Sequence, residues 1–350
     1  MSALSTPGSA TPAAYRGRGR GGARLADLVW LTWRQHRAVI VAGLAVAGVV
    51  TGSTLYVAAR IATINQECKN TACPPGSAQA TSLTGLFGLT NLSLYLTIIV
   101  LFLPLLTGVF LGAPLLAREH EQRTLLLAWS QDITPQRWLW TKFALLGVLT
   151  AAAAAAVSAA AGHLEYVVSI ATGKSLFSLG SGAGFLVSGI LPLAVQTVAW
   201  LAVGVALGAA YRRTLPAIFT ALTGYIAVLF LAVWQYPSLM TPLTALVPVS
   251  GNQDFTSRLG ANSLVIYRGM NTIYDASGHA MNPAAVQSLC PSANSDPCRA
   301  EHHLMEALRY QPGSRIPDFH LLLACGYFAL GAIAVAAVWC LVRRTSLSAG

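Results

Sequence analysis

Hydrophobic and polar positions are distributed along this chain in long blocks rather than in short periods. Six apolar runs stand out: Ala38 to Ala59, Leu92 to Ala117, Phe143 to Ala161, Phe185 to Tyr211, Leu215 to Gln235 and Leu321 to Val342. None contains Asp, Glu, Lys or Arg. A helix of about 20 apolar residues crosses the hydrocarbon core of a bilayer. Inside lipid each backbone polar group must be satisfied within its own segment, so the runs predict helices. The pattern therefore predicts an all-α polytopic membrane protein with six transmembrane helices. Its parts are a polar tail over 1–23, an amphipathic segment over 24–37, five spans over 38–235, a large outer loop over 236–318, and a sixth span with a short tail over 319–350.

Composition supports this class. The chain is 55% hydrophobic and only 10% charged, against about 25% charged for a soluble domain. Basic residues then orient it. Arg16, Arg18, Arg20, Arg24, Arg34 and Arg37 precede the first span. Arg118, Arg123, Arg137 and Lys142 lie between spans two and three, Arg212 and Arg213 in the tight fourth-to-fifth hairpin, and Arg343 and Arg344 after the last span. Six spans put all of these on one side, which predicts that both termini are cytoplasmic. The Gly/Arg-rich tail fits an anchor near anionic lipid better than an RNA-binding arm, so no nucleic-acid partner is expected. Only three of the 22 basic residues are lysine. With the abundance of Ala and Gly, this points to a GC-rich genome and a bacterial plasma membrane.

Cysteines agree with the orientation. Cys68 and Cys73 share the first outer loop, and Cys290 and Cys298 share the fifth. Two disulfides are expected in an oxidising space, within each loop or across the two. No histidine stands at zinc spacing beside either pair, so metal is not expected. Catalytic signatures fail. Gly173-Lys174-Ser175 resembles the end of a phosphate loop, but Val168 occupies the place of its first glycine. His120-Glu121 opens a zinc-protease motif that Thr124 breaks. His302, His303 and Glu306 are expected on a solvated helix face. His163 and Glu165 are expected as polar caps at the outer end of span three, and Gln196 as a polar contact between helices.

The connection from Gly112 to Phe143 carries the most information. It resembles the corresponding segment of the permease subunits of type-2 ABC exporters. Glu119, Glu121 and Thr124 match that family's acidic turn, with Arg123 where the family has glycine. Thr134, Pro135, Arg137 and Lys142 match the step into span three. LVWLTWRQHR, Leu28 to Arg37, resembles the start of actinobacterial permeases of this kind. There Leu25, Leu28, Val29, Thr32 and Trp33 share one helix face, and Arg24, Asp27, Arg34 and Gln35 the other, as suits an interfacial elbow helix.

The resemblance implies a transport subunit with no catalytic residue or cofactor of its own. ATP and Mg would bind two copies of a separate ABC ATPase, beside a second permease subunit that is identical or paralogous. It implies coupling to the ATPase through Glu119, Glu121, Arg123 and Thr124, within 118–142. It also implies a cargo path lined by spans two and five, at Phe102, Thr107, Phe110, Thr220, Thr223 and Tyr225. That path carries no charge, which favours an apolar or amphipathic cargo. Two alternatives stand beside this reading: a membrane-anchored enzyme with its site in the outer loop, and a non-transporting sensor or anchor.

Overall fold

The computed structural model describes residues 25–71, 88–121, 135–172, 183–235, 238–249, 263–291 and 296–347. Six helices are long and apolar enough to cross a membrane, as the six runs predict. The first is α1 (Leu25–Thr71). Span two is assembled from α2 (Leu89–Leu101), α3 (Leu103–Leu106), a π-helix (Thr107–Gly112) and α4 (Ala113–Glu121). Span three is α5 (Pro135–Thr172). After the short α6 (Ala183–Ser188) come span four, α7 (Ile190–Tyr211), and span five, α8 (Thr214–Gln235). Span six belongs to α11 (Ile316–Leu347).

Two boundaries differ from the sequence expectation. The segment 24–37 was expected as a separate elbow, yet from Leu25 it runs unbroken into the first span. No proline occurs from Leu25 to Thr71 and no glycine before Gly43 in that stretch, so nothing breaks the helix between the elbow and the span, and it runs for 47 residues, about 70 Å. Leu28 and Thr32 are buried, whereas Trp30 and Trp33 are exposed. The fourth run, expected from Phe185, is divided at Gly189. This residue is extended (φ −88, ψ 112) and precedes α7, whose third residue is Pro192. A proline is tolerated in the first turn of a helix but not deeper, so the helix starts here and cannot continue from α6. The displaced α6 packs into the bundle: Ser158 Oγ donates to Val187 O at 2.6 Å, and His320 stacks on Phe185 at 4.8 Å between centroids.

Span four is the hub, touching spans two, three, five and six. Its closest neighbour is span two, and glycine explains why. A Cβ on Gly108 would lie 2.8 Å from Trp200 O, and one on Gly112 2.6 Å from Leu201 O. From the other side, a Cβ on Gly204 would lie 2.8 Å from Ala113 N, and one on Gly208 would overlap Ala113 O. Two glycine pairs, each spaced by four, thus face one another and bring the two backbones into contact. Lipid tails are as apolar as leucine, so backbone proximity of this kind, rather than hydrophobic burial, favours association of such helices.

Span two also bends. Pro104 has no N–H to give Val100 O, so α2 ends at Leu101 and the helix restarts at Leu103. The wider π turn follows at once and holds both Gly108 and Gly112.

The region 238–315, expected as a loop, contains an antiparallel sheet of β1 (Leu243–Pro248), β2 (Leu264–Tyr274) and β3 (Met305–Gln311), in the order β1-β3-β2. Leu243 pairs with Tyr310, and Pro248 with Met305. Strand β2 slips register between Arg268 and Ile273. Two short helices, α9 (Pro283–Leu289) and α10 (Asp296–Glu301), precede β3. Val249, Val286 and Leu304 form a small core. Gln311 Nε2 donates to Met240 O at 2.7 Å, and Arg315 Nη1 to Thr241 O at 2.8 Å, which fastens the sheet to the start of span six. The membrane unit remains all-α.

Candidate coupling site

At the end of the bundle that carries Arg118, Arg212, Arg213 and Arg343, α4 brings its acidic residues to the starts of two other helices. Lys142, near the start of span three, is 1% exposed, and its Nζ donates to Glu119 Oε1 at 2.9 Å. The same ammonium lies 3.7 Å from the centroid of the Trp138 ring, one helical turn earlier, where the π face attracts a cation. Leu28, Ile40, Leu116, Leu139 and Val338 close an apolar wall around this end. Burial makes the pair demanding: Lys142 has left water, Glu119 keeps only a small exposed part, and the buried charge is poorly tolerated there without its partner.

Glu121 is exposed and turns to span five. It accepts from Thr214 N at 2.7 Å and from Thr214 Oγ1 at 3.0 Å. Thr214 is the first residue of α8, so Glu121 satisfies one of the free N–H groups at a helix start, where negative charge is also favoured by the helix dipole. The chain reverses just before it, at Arg212 in the left-handed region (φ 53). Two acidic residues, two apart, therefore fix the end of span two to the starts of spans three and five. Arg123 and Thr124 lie outside the described residues.

The expected path residues divide into two groups. Phe102 and Tyr225 come together inside the subunit, and Thr107 is buried separately against span four, its Oγ1 3.3 Å from Thr197 O. The Tyr225 hydroxyl donates to Leu101 O at the break in span two, its ring meets Trp200 edge-on at 5.1 Å, and Phe102 lies 6.1 Å away. Thr107 Oγ1 donates to Pro104 O at 2.7 Å. Phe110, at 63% exposure, points outward instead. On span five, Thr220 and Thr223 return their hydroxyls to Pro216 O and Phe219 O, at 2.9 and 3.0 Å. Phe219, Ile226 and Phe230 on the same helix are exposed.

Of the polar pair at the far end of span three, His163 is exposed, but Glu165 is buried and accepts from Thr97 Oγ1 at 2.6 Å. Glu165 is thus an interhelical contact with span two, not a cap. The expected Cys290–Cys298 disulfide is present, with Cα atoms 5.9 Å apart. Cys73 lies outside the described residues, and the expected bond from Cys68 to Cys73 with it. Contrary to expectation, a histidine does stand beside the second pair: His302 is within 4.8 Å of both sulfurs. It follows Cys298 by four residues, one helical turn, a spacing that the sequence reading passed over. His302, His303 and Glu306 do not share a helix, because the chain turns at His303 (φ 53) and Glu306 belongs to β3.

The sheet-bearing region over 238–315 also holds an aspartate, a serine and a histidine close together. Asp275 Oδ1 accepts from Ser277 Oγ at 2.6 Å, and from the backbone N–H groups of Ser277 and His279, both at 2.9 Å. The Ser277 hydroxyl and the His279 N–H hold the Asp275 carboxyl below the usual carboxylate range. Ser277 Oγ also stands 2.8 Å from His279 Nδ1, and Asp275 Oδ2 is 3.7 Å from that same nitrogen, so the aspartate and the serine crowd one ring nitrogen instead of occupying the two opposite ones that a triad requires. All three residues are exposed or nearly so, in a tight turn around Gly278 (φ 84). This is a side-chain-stabilised turn and not a hydrolytic triad.

Comparison with known families agrees with the bundle. The family described as ABC-2 membrane transporter related matches residues 38–235, more than half of the chain. A domain of unknown function, DUF8319, matches residues 238–316, which include the sheet. No curated protein matches the chain, and no solved structure does. The first match takes in α1 from Ala38 onward and the whole of spans two to five, so the chain belongs to the ABC-2 membrane transporter related family.

Proposed function

We propose that this chain is the transmembrane subunit of an ATP-driven exporter in a bacterial plasma membrane, with both termini in the cytoplasm. Two ABC ATPase subunits would bind ATP and Mg, and a second permease subunit, identical or paralogous, would face spans two and five. The observation that carries the reading is the double attachment of α4. Glu119 holds span three and Glu121 holds span five. A push on the connection after Glu121 would therefore move three spans together, which is what a rocking, alternating-access transition needs.

In this reading Glu119 and Glu121 work as internal ties, and Arg123 and Thr124 supply the contact that an ATPase would press upon. The path would run along the outward side of spans two and five, at Phe110, Thr220 and Thr223. Phe102, Thr107 and Tyr225 brace the bend behind it. The absence of charge among these residues favours an apolar or amphipathic cargo.

Arg123→Glu tests the docking role. It leaves the Glu121–Thr214 tie intact, so the permease should reach the membrane at normal abundance. Reversal of a charge-assisted contact, about 1.5–3 kcal/mol, should lower copurification of the ATPase by about tenfold or more. A variant that keeps both its ATPase and its transport would leave 122–134 as a mere connection.

A further inference from the structure

Two buried polar atoms at the coupling end have no hydrogen-bond partner among the described residues, and they are chemically complementary. Glu119 spends Oε1 on Lys142, but its Oε2 is buried and meets no donor. His36 Nε2, on α1, is buried and equally without a partner. On α1, Thr32, His36 and Ile40 follow one another at a spacing of four and share a face, and Ile40 joins Leu116 and Leu139, on the helices that carry Glu119 and Lys142, in one buried cluster, so the imidazole borders the pocket of the ion pair. An imidazole protonated on Nε2 donates one hydrogen bond, and a carboxylate oxygen accepts it. Leaving either group unmatched in a buried place is unfavourable. Two unmatched, complementary groups on elements that meet at one cluster gain a hydrogen bond if they are brought together.

We propose that His36 and Glu119 are two halves of a hydrogen bond that is open in this conformation and closes during the transport cycle. Glu119 then bridges Lys142 through one oxygen and His36 through the other. In the open state α4 is tied to spans three and five. In the closed state it is tied to α1 as well, so the ATPase stroke reaches the first helix. His36 acts here as a positioning residue, and its role rests on the reading of 118–142 as the ATPase-driven segment.

The test uses the whole permease–ATPase complex in membranes, with His36→Phe and His36→Gln. Phenylalanine keeps a ring and removes the donor; glutamine keeps an N–H of similar reach. Both variants should insert and retain the ATPase as wild type does. The maximal rate of ATP hydrolysis by the membrane-embedded complex, with ATP and Mg alone, should fall about tenfold in His36→Phe, the equivalent of one hydrogen bond of about 1.4 kcal/mol. The KM for ATP should stay unchanged, and His36→Gln should stay within about threefold of wild type on the same scale. Where phenylalanine proves too large to fold, His36→Leu removes the donor in less volume and is judged by the same criterion. Wild-type turnover in the donor-free variant, or equal loss in the donor-free and glutamine variants, would overturn the proposal, the latter by showing that His36 only packs. Absence of a bound ATPase from wild type and variants alike would remove the exporter reading, and this role with it.

Discussion

Gly204→Val is expected to abolish the folded permease. A Cβ at this position would lie 2.8 Å from Ala113 N and 2.9 Å from Gly112 Cα, and these are backbone atoms that no rotamer change can move aside. Valine adds two further methyl groups on the same side. The α7–span two crossing must then open, and the contacts of Gly108, Gly112 and Gly208 are lost together. Overpacking alone costs roughly 1–3 kcal/mol; separating a whole helix crossing should exceed the top of that range. Gly52→Ala is the control. Nothing lies within 4 Å of a Cβ there, and alanine in an open helix position should be neutral or favourable by about 0.5–1 kcal/mol. Membrane abundance and thermal aggregation temperature in detergent compare the two. Equal behaviour of the two variants would mean that the close crossing does not exist.

The second large effect belongs to Lys142. Lys142→Met leaves the Glu119 carboxylate buried without its cation, a loss of about 3–5 kcal/mol where one partner of a buried pair is removed. Removing both charges in Glu119→Leu with Lys142→Met should return most of that stability, because apolar side chains of similar volume replace buried pairs at little net cost. The double variant would then have the fold without the tie between α4 and span three, and it should be stable yet poor in ATP-driven turnover. Thermal stability of the three proteins decides the first part. A Lys142→Met protein as stable as wild type would show the pair to be solvated.

Much of this was legible in the residues, and what was hidden had physical reasons. Apolar runs without charge specify membrane helices directly, because lipid leaves no other way to satisfy the backbone. The end of the elbow was not legible, because nothing between Arg37 and Ala38 breaks a helix; only packing decides where such a helix meets the bilayer. The break at Gly189 was signalled by Gly-x-x-Pro but masked by the uniform hydrophobicity around it. The paired glycines of spans two and four, each at a spacing of four, were visible in the sequence. Their meaning needs both helices at once.

At the candidate coupling site, Glu119 and Glu121 were singled out from the sequence, but their partners within the chain were not. Glu119 and Lys142 are 23 residues apart, and Glu121 and Thr214 are 93 apart, so spacing gives no clue to either bond. The strands of the outer region escaped because β2 changes register along its length, which spoils the two-residue alternation by which a strand is recognised.

The claim on which the rest depends is that this permease works with an ATPase. Purification of the tagged chain from its native membrane, with ATP hydrolysis measured on the purified material, tests it most directly. The account predicts an ABC ATPase in about equal molar amount to the permease, with hydrolysis that falls in Arg123→Glu. A permease that is folded and abundant, yet carries no ATPase and no hydrolysis where a control ABC permease keeps both, would contradict it.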